Sequence, residues 1–332
     1  MSAALRIETD PDTVARLPGH GRFAAVDRHP IMGGFGRRYY PAVAAGSQRD
    51  LAFAVMAGDE PLAYAPATTD GERLGFHGMP LRLFLADGGD EAALARAADA
   101  AVAHLAALVA TAAPGGFTLE AEASRVLDAV GEACLRHGCT AALKLRAAVD
   151  LTLGEEARRA ALRRSSRALV NWGRRTIALR YVNRAAPDRS AFSSYREFHR
   201  RVAGRVTRPD ASWEAMFDWI AAGGGELALG HLEDGTLVSA TLVVDGTEAA
   251  YYASGVYDRE RFDKPMAHWP LWDAIGRARE RGMAMVDLGE VPLPGSTTEK
   301  EAAIGYFKRG FATALTTAIV WTSSAKAAPH DA

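Results

Sequence analysis

Between Met283 and Phe311 the chain reads MAMVDLGEVPLPGSTTEKEAAIGYFKRGF, which places Asp287, Glu290, Tyr306 and Lys308 on two consecutive elements. Asp287 and Glu290 close an apolar run, Met283–Leu288, that alternates too weakly for an edge strand and is predicted as a buried one. Thr298 followed by Glu301 is a capping box, and Ala303, Ile304 and Phe307 recur behind it at helical spacing. A helix is therefore predicted from Thr298 to Gly310, with those three residues on its sheet side and Tyr306 and Lys308 riding on it. A carboxylate at a strand exit can take a proton, a phenol can give one, and an ammonium is a fixed charge. His268, at the start of an upstream helix, adds an imidazole that ordinarily titrates near neutrality. Glu290 and His268 are the candidate bases, whereas Asp287 reads first as a satisfied structural carboxylate.

These residues need a sheet beneath them, and the turn signals supply one. Glu226–Gly230 and Thr236–Val244 are predicted strands across Glu233-Asp234-Gly235, and Glu248–Val256 follows the turn at Asp245-Gly246. A helix between Pro265 and Arg281, the Met283–Leu288 strand, the Thr298 helix and a final strand TALTTAIVW complete the half, with helices around Tyr195–Ala203 and Trp213–Ala222 before it. The first half runs in the same order. Strands LAFAVMAG, PLAYAPA and LGFHGMPLRLF fall between Asp50 and Leu85, followed by an Ala-rich helix over Asp90–Ala110, the strand GFTLEAE, a helix over Ala123–His137 and strand-like TAALKLRAAVDLTL. Matching orders imply an α/β (α+β) chain of two similar domains, 1–150 and 151–332, each a mixed, mostly antiparallel sheet flanked by helices, with a substrate cleft between them. GGFG at Gly33 lacks a preceding buried strand and is not read as a nucleotide loop.

Between the halves, Glu155–Arg175 is predicted as one amphipathic helix, with Leu162, Leu169 and Trp172 on one side and Arg159, Arg163, Arg167 and Arg174 on the other. Such a face is either a solvated surface or a set of guanidinium forks suited to a diphosphate. The whole chain gives no bias toward polyanions: 39 Lys plus Arg stand against 40 Asp plus Glu among 332 residues, so no DNA partner is expected. A hydrophobic share of 48% is enough for two cores. Cys134 and Cys139 are too few for a disulfide framework or a structural zinc site, and no metal is expected. No secretory leader and no bilayer-spanning run is read, which points to a cytoplasmic protein.

Three strings of the second half resemble the Fem-like branch of the GNAT acyltransferase superfamily, in which two GNAT-like domains are fused: AYYASGVYDRERFDKPMAHWPLWDAI from Ala250, GMAMVDLGE from Gly282 and IGYFKRGF from Ile304. FHRRVAGRVTRPDASW from Phe198 is similar to helices of the same branch, and the likeness runs over roughly residues 155–321. The resemblance implies central strands that splay apart between Ala250–Gly255 and Ala284–Leu288, an activated acyl donor in the gap, backbone N–H groups acting as an oxyanion hole, and a following helix whose start faces donor phosphates. It implies an N-acyltransferase that moves an acyl group from acyl-CoA, a co-substrate and not a resident cofactor, to a primary amine of an amino sugar or cell-envelope precursor. An aminoacyl-tRNA-dependent Fem-type transferase and a catalytically silent GNAT-like binding protein are the alternatives. Under it, Tyr306 becomes the leaving-group acid, and Lys308, paired with Phe307, sits near the acyl group and donor phosphates. Tyr252 reaches the site from the first splayed strand, Lys264 and Arg261 neutralise phosphates, and Arg163, Arg167, His199 and Asp287 serve the substrate. The Gly-rich pyrophosphate loop of ordinary GNAT enzymes, QxxGxG or RxxGxA, is replaced by DRERFDKPMAHW, which lacks its cradle of small residues.

Overall fold

The computed structural model describes residues 4–44, 46–258, 260, 265–293 and 297–323. Arg261 and Lys264 lie outside the described residues. The chain divides into two compact units, one from the described residues of Met1–Val26, Ala44–Lys144 and Thr317–Ala332, the other from Asp27–Val43 and Leu145–Thr316. This differs from a single cut near residue 150. Thr140–Asp150 is one strand whose exposed first half stays with the first unit and whose buried end, Ala147–Val149, joins the second unit's core. Ala314–Ser323 crosses the other way, and Asp27–Val43 leaves the N-terminal half for the second unit.

In the first unit Leu5–Glu8, Phe53–Ala57, Glu60–Ala65 and Phe84–Leu85 form an antiparallel sheet, and the end of Ala314–Ser323 pairs antiparallel with Phe117–Glu122. The helix Glu91–Ala112, N-capped by Asp90, buries Ala97, Ala98, Ala101, Val102 and Leu105 in a core with Phe53, Leu62 and Phe117. By length and composition alone this helix is apolar enough to cross a membrane, and its buried stripe of small residues gives that composition a reason as a core helix. The helix expected from Ala123 starts only at Ala129, because Asp128 Oδ1 accepts from Gly131 N at 2.8 Å and fixes the N-cap there. Cys134 and Cys139 are free and buried.

The second unit's sheet runs Ala178–Val182, Gly225–His231, Leu237–Asp245, Ala249–Tyr257, Met285–Val291 and the 145–150 end of Thr140–Asp150. Every neighbouring pair is antiparallel except one. Ala249–Tyr257 and Met285–Val291, joined through the helix His268–Glu280, are parallel, as a crossover connection requires. They pair only at Ala249↔Met285, Ala250↔Val286 and Tyr251↔Asp287. At the same level each strand shifts register against its other neighbour, between Tyr252 and Ser254 on one and between Asp287 and Gly289 on the other. Bulges bend and twist a strand, and two of them where the pairing stops account for the opening.

His268–Glu280 buries Leu271, Ile275 and Ala278 in a core with Val286, Leu288 and Phe311. A separate core joins Phe192, Tyr195 and Phe198 of Arg189–Ala203 and Trp213, Phe217 and Ile220 of Asp210–Ala221 to Leu227, Leu229 and Leu242. The single helix expected over Glu155–Arg175 is two, Glu155–Ala161 and Arg164–Thr176. It breaks where Leu162 turns into the core and Arg163 N donates to Gly310 O at 3.1 Å. Glu299–Arg309 has the expected capping box, with Glu301 N donating to Thr298 Oγ1 at 3.3 Å and Thr298 N to Glu301 Oε2 at 2.9 Å. Its inner face is not the expected one: Ala303 and Ile304 are exposed and Gly305 is buried. A Cβ at Gly305 would stand 2.7 Å from Pro292 Cδ, so the helix packs too closely on the strand exit for a branched side chain there.

Candidate active site

The opening between the parallel strands ends on Asp287, which is 5% exposed. Its Oδ2 accepts from Arg146 Nε and Nη2, both at 2.8 Å, and from His29 Nε2 at 3.1 Å, while Oδ1 accepts from Gly289 N at 2.6 Å. Burial alone would raise the carboxyl pKa. The His29 hydrogen bond, the Arg146 charge and the Gly289 N–H outweigh it and hold the group well below the usual carboxylate range. Ile31 N donates to His29 Nδ1 at 3.2 Å, which leaves Nε2 to carry the proton that faces Asp287. Four protein N–H donors thus converge on the Asp287 carboxylate.

His29 arrives by way of Asp27–Val43. Thr247 N donates to Asp27 O at 2.8 Å and Glu248 N to Arg28 O at 3.3 Å, tying the segment to the hairpin that opens Ala249–Tyr257. Asp27 Oδ1 accepts from Gly34 N and Arg37 Nη2, each at 3.0 Å. A Cβ at Gly36 would fall 1.6 Å from Ile31 O, and one at Gly34 2.7 Å from the Trp219 ring. The GGFG string is thus a close-packing device. Tyr251 sets its ring 5.7 Å from that of His29. Tyr40, whose phenol pKa burial raises, shares electrostatic contact with Tyr251 and Arg146.

Lys308 reaches this cluster from Glu299–Arg309. Its Nζ donates to Glu290 O at 3.1 Å and lies 3.0 Å from where a Cβ on Gly289 would be, with Tyr251 also alongside. Gly289 adopts φ +86°, which glycine tolerates, and the absent side chain leaves the ammonium its place. Lys308 is half-buried, and burial lowers its pKa, aided by Arg146 and opposed by Asp287 and Glu290. The Glu290 side chain itself is exposed.

The other sequence candidates fall in distinct surroundings. Tyr306 is 55% exposed, with the Arg163 guanidinium 3.6 Å over its ring and Arg163 Nη2 donating to its carbonyl at 3.0 Å. Phe307 turns inward against His268 and Phe311, at 5.1 and 5.2 Å between ring centroids. His268 departs from the expectation of a base near working pH: desolvation, with Arg163 adding to it, drops its pKa to about 4, and the ring is neutral. Tyr252 lays its hydroxyl over Gly255, where a Cβ would be 1.6 Å away, and burial raises its pKa. Arg167 Nη2 donates to Ala160 O at 3.3 Å and Leu162 O at 3.2 Å, capping a helix end rather than standing open for a substrate. His199 packs edge-on to Tyr195 and Trp213, its pKa lowered by burial to about 4. The structure therefore brings together Asp287, Lys308 and the Glu290 backbone, and separately Tyr306, Arg163, Phe307 and His268. His29, Arg146, Tyr40 and Tyr251 escaped the sequence reading. Arg146 alone carried a signal, as a cation inside the apolar strand string LKLRAAV, where burial demands an anion.

The mixed α/β chain has the fold of Fem-like tandem GNAT structures, as its likeness to solved structures shows. No family model matches the chain, and no curated protein matches it in sequence. Among solved structures it is similar to FemX, with a TM-score of 0.65, 12% identity and coverage of 95% of this chain and 96% of that one. It is also similar to L-PGS from Bacillus licheniformis (TM-score 0.55, 14% identity, 96% and 93% covered). A third likeness is to a tandem GNAT protein from the clavulanic acid biosynthesis pathway, described without AcCoA (TM-score 0.53, 17% identity, 98% and 100% covered).

Proposed function

We propose that this chain is a GNAT-type N-acyltransferase that holds an activated acyl donor in the opening between Ala249–Tyr257 and Met285–Val291 and passes the acyl group to a primary amine. The observation that carries the reading is that those parallel strands pair at three positions only, as strands that splay apart for a donor would. An acyl carbonyl placed there would meet backbone N–H groups as its oxygen gains charge. Acyl-CoA is the donor we favour, and an amino sugar or a cell-envelope precursor supplies the amine. The amine nitrogen attacks the carbonyl carbon, the tetrahedral oxyanion collapses, and the carbon–sulfur bond breaks as the amide forms. Tyr306, whose hydroxyl has no hydrogen-bond partner among the described residues, protonates the departing thiolate. Exposed Glu290 takes the amine proton. Lys308 lends positive charge at the mouth of the gap, and Arg261 and Lys264 meet donor phosphates ahead of His268–Glu280. Arg163 positions Tyr306 through its ring and carbonyl.

A second reading keeps the fold and changes the donor to an aminoacyl ester of tRNA. Lys308 favours it, because a half-buried ammonium beside the gap suits a ribose-phosphate next to the reacting ester. Incubating the chain with labelled acyl-CoAs or aminoacyl-tRNA and a panel of primary amines tests both. Label in an amide product from one donor selects it, and no amide from either ends the transferase reading.

A further inference from the structure

A cavity of about 440 Å³ lies between the helix His268–Glu280 and the helices Glu155–Ala161 and Arg164–Thr176, and no residue assigned to the transfer site lines it. Arg158, Arg159, Arg174, Arg279, Trp269 and Trp272 are among its walls. Arg158 is 3% exposed, yet its guanidinium has no hydrogen bond and no ion pair among the described residues; Nε is fully buried without a partner, and Trp272 lies 6.0 Å away. A buried charge in that state is costly unless an anion joins it. Burial lowers its pKa, and the nearby Arg279 charge lowers it further against the opposing pull of Glu155.

The other cations are similarly unspent. Arg174 rests over Trp269 at 5.9 Å, Arg159 Nη2 donates to the neutral Asn171 Oδ1 at 2.7 Å, and Arg279 has no ion pair among the described residues. Arg277, which also lines the cavity, is neutralised by Glu226, and Asp273 accepts from Tyr181 OH at 2.8 Å. Guanidinium planes beside two indole faces suit a compact dianion that accepts forked hydrogen bonds. A long polyanion suits the place less, because Glu155 and Glu280 sit in the same walls and Arg158 lies below the surface.

We propose that this cavity binds a small phosphorylated molecule by its phosphoryl group, with Arg158 as the buried anchor and Arg159, Arg174 and Arg279 closing around it. The proposal does not depend on the transferase reading, since it uses none of the same side chains. It is tested on the full chain by thermal shift and calorimetry with inorganic pyrophosphate and AMP, the first probing the phosphoryl group alone and the second adding a base that can stack on Trp269 or Trp272. Saturable stabilisation by either probe is expected. Arg158→Met should raise the Tm of the unliganded chain, because an unpartnered buried charge is removed, and should abolish the ligand-induced shift. Exposed Arg279→Gln should leave the unliganded Tm in place and weaken binding about tenfold. A structural role for Arg158 would lower the unliganded Tm instead. The proposal is overturned if neither probe stabilises the chain, if tRNA binds in an Arg279-dependent way while both small probes do not, or if Arg158→Met and Arg279→Gln leave binding unchanged. Should Arg158→Met not fold, Arg279→Gln and Arg174→Gln decide the matter.

Discussion

Asp287→Asn replaces the carboxylate at the end of the opening with a group of the same shape. Asn can keep the acceptor for Gly289 N, but its amide then points donor hydrogens at Arg146 and at His29 Nε2, both donors at 2.8 and 3.1 Å. Turned the other way, it loses the Gly289 contact instead. Breaking a buried charge pair costs about 3–5 kcal/mol, and the surviving contact argues for the lower end. A loss of about 3 kcal/mol leaves a folded chain, since domains hold about 5–15 kcal/mol. With a urea slope of roughly 2 kcal/mol per M, the unfolding midpoint should drop by about 1.5 M. Tryptophan fluorescence suits the assay, because Trp172, Trp213, Trp219, Trp269 and Trp272 all belong to the unit that contains Asp287. The pH dependence supplies a second check. The folded pKa is depressed, so the parent's extra stability is present above the ordinary carboxylate value of 3.8 and is lost as pH falls from there toward the folded value; the Asn variant should lack that loss. A midpoint within about 0.3 M of the parent would refute the view that this carboxylate clamps the site.

Lys308→Met keeps the aliphatic stem and removes the charge, so turnover should fall by about 10²-fold while urea stability holds or rises slightly, burial of the cation having been unfavourable. Unchanged turnover with every active donor would make Lys308 a helix-end charge. Tyr306→Phe leaves the ring under Arg163 and takes only the hydroxyl, so turnover should drop roughly 10²-fold or more with stability intact; equal rates would assign Tyr306 to structure. His268 and His199 have folded pKa values depressed by burial to about 4 from 6.5, so their contribution to stability is whole above 6.5 and is lost as pH falls toward 4. Urea midpoints across that window should decline toward acid, and a flat profile contradicts the burial of both rings.

The second half of the fold was legible because its signals are local. The hairpin turns, the capping box at Thr298 and the helix between Pro265 and Arg281 each depend on residues a few positions apart, and each lies within two or three residues of where it was expected. The strand exchange was not legible, because TAALKLRAAVDLTL reads as a strand whichever sheet it joins. The inner face of Glu299–Arg309 was misread for a related reason. Periodicity favours Ile304, but the distance between helix and Pro292 admits only Gly305. The site shows the same division. Asp287, Glu290 and Lys308 come from one contiguous stretch and were found together, whereas His29 meets Asp287 across 258 positions and nothing near His29 announces that meeting. The arginine face was half visible: Arg163 and Arg167 are committed to helix ends, and Arg158, which periodicity did not single out, is the buried one.

Single-turnover transfer bears most directly on the central claim that the gap between Ala249–Tyr257 and Met285–Val291 positions an activated acyl group. A series of labelled acyl-CoAs, with aminoacyl-tRNA in parallel, is mixed with the chain and primary amines, and amide product is followed in the parent and in Lys308→Met. The expected result is chain-dependent amide from at least one donor class, reduced about 10²-fold by Lys308→Met. No amide from either donor class would contradict the claim.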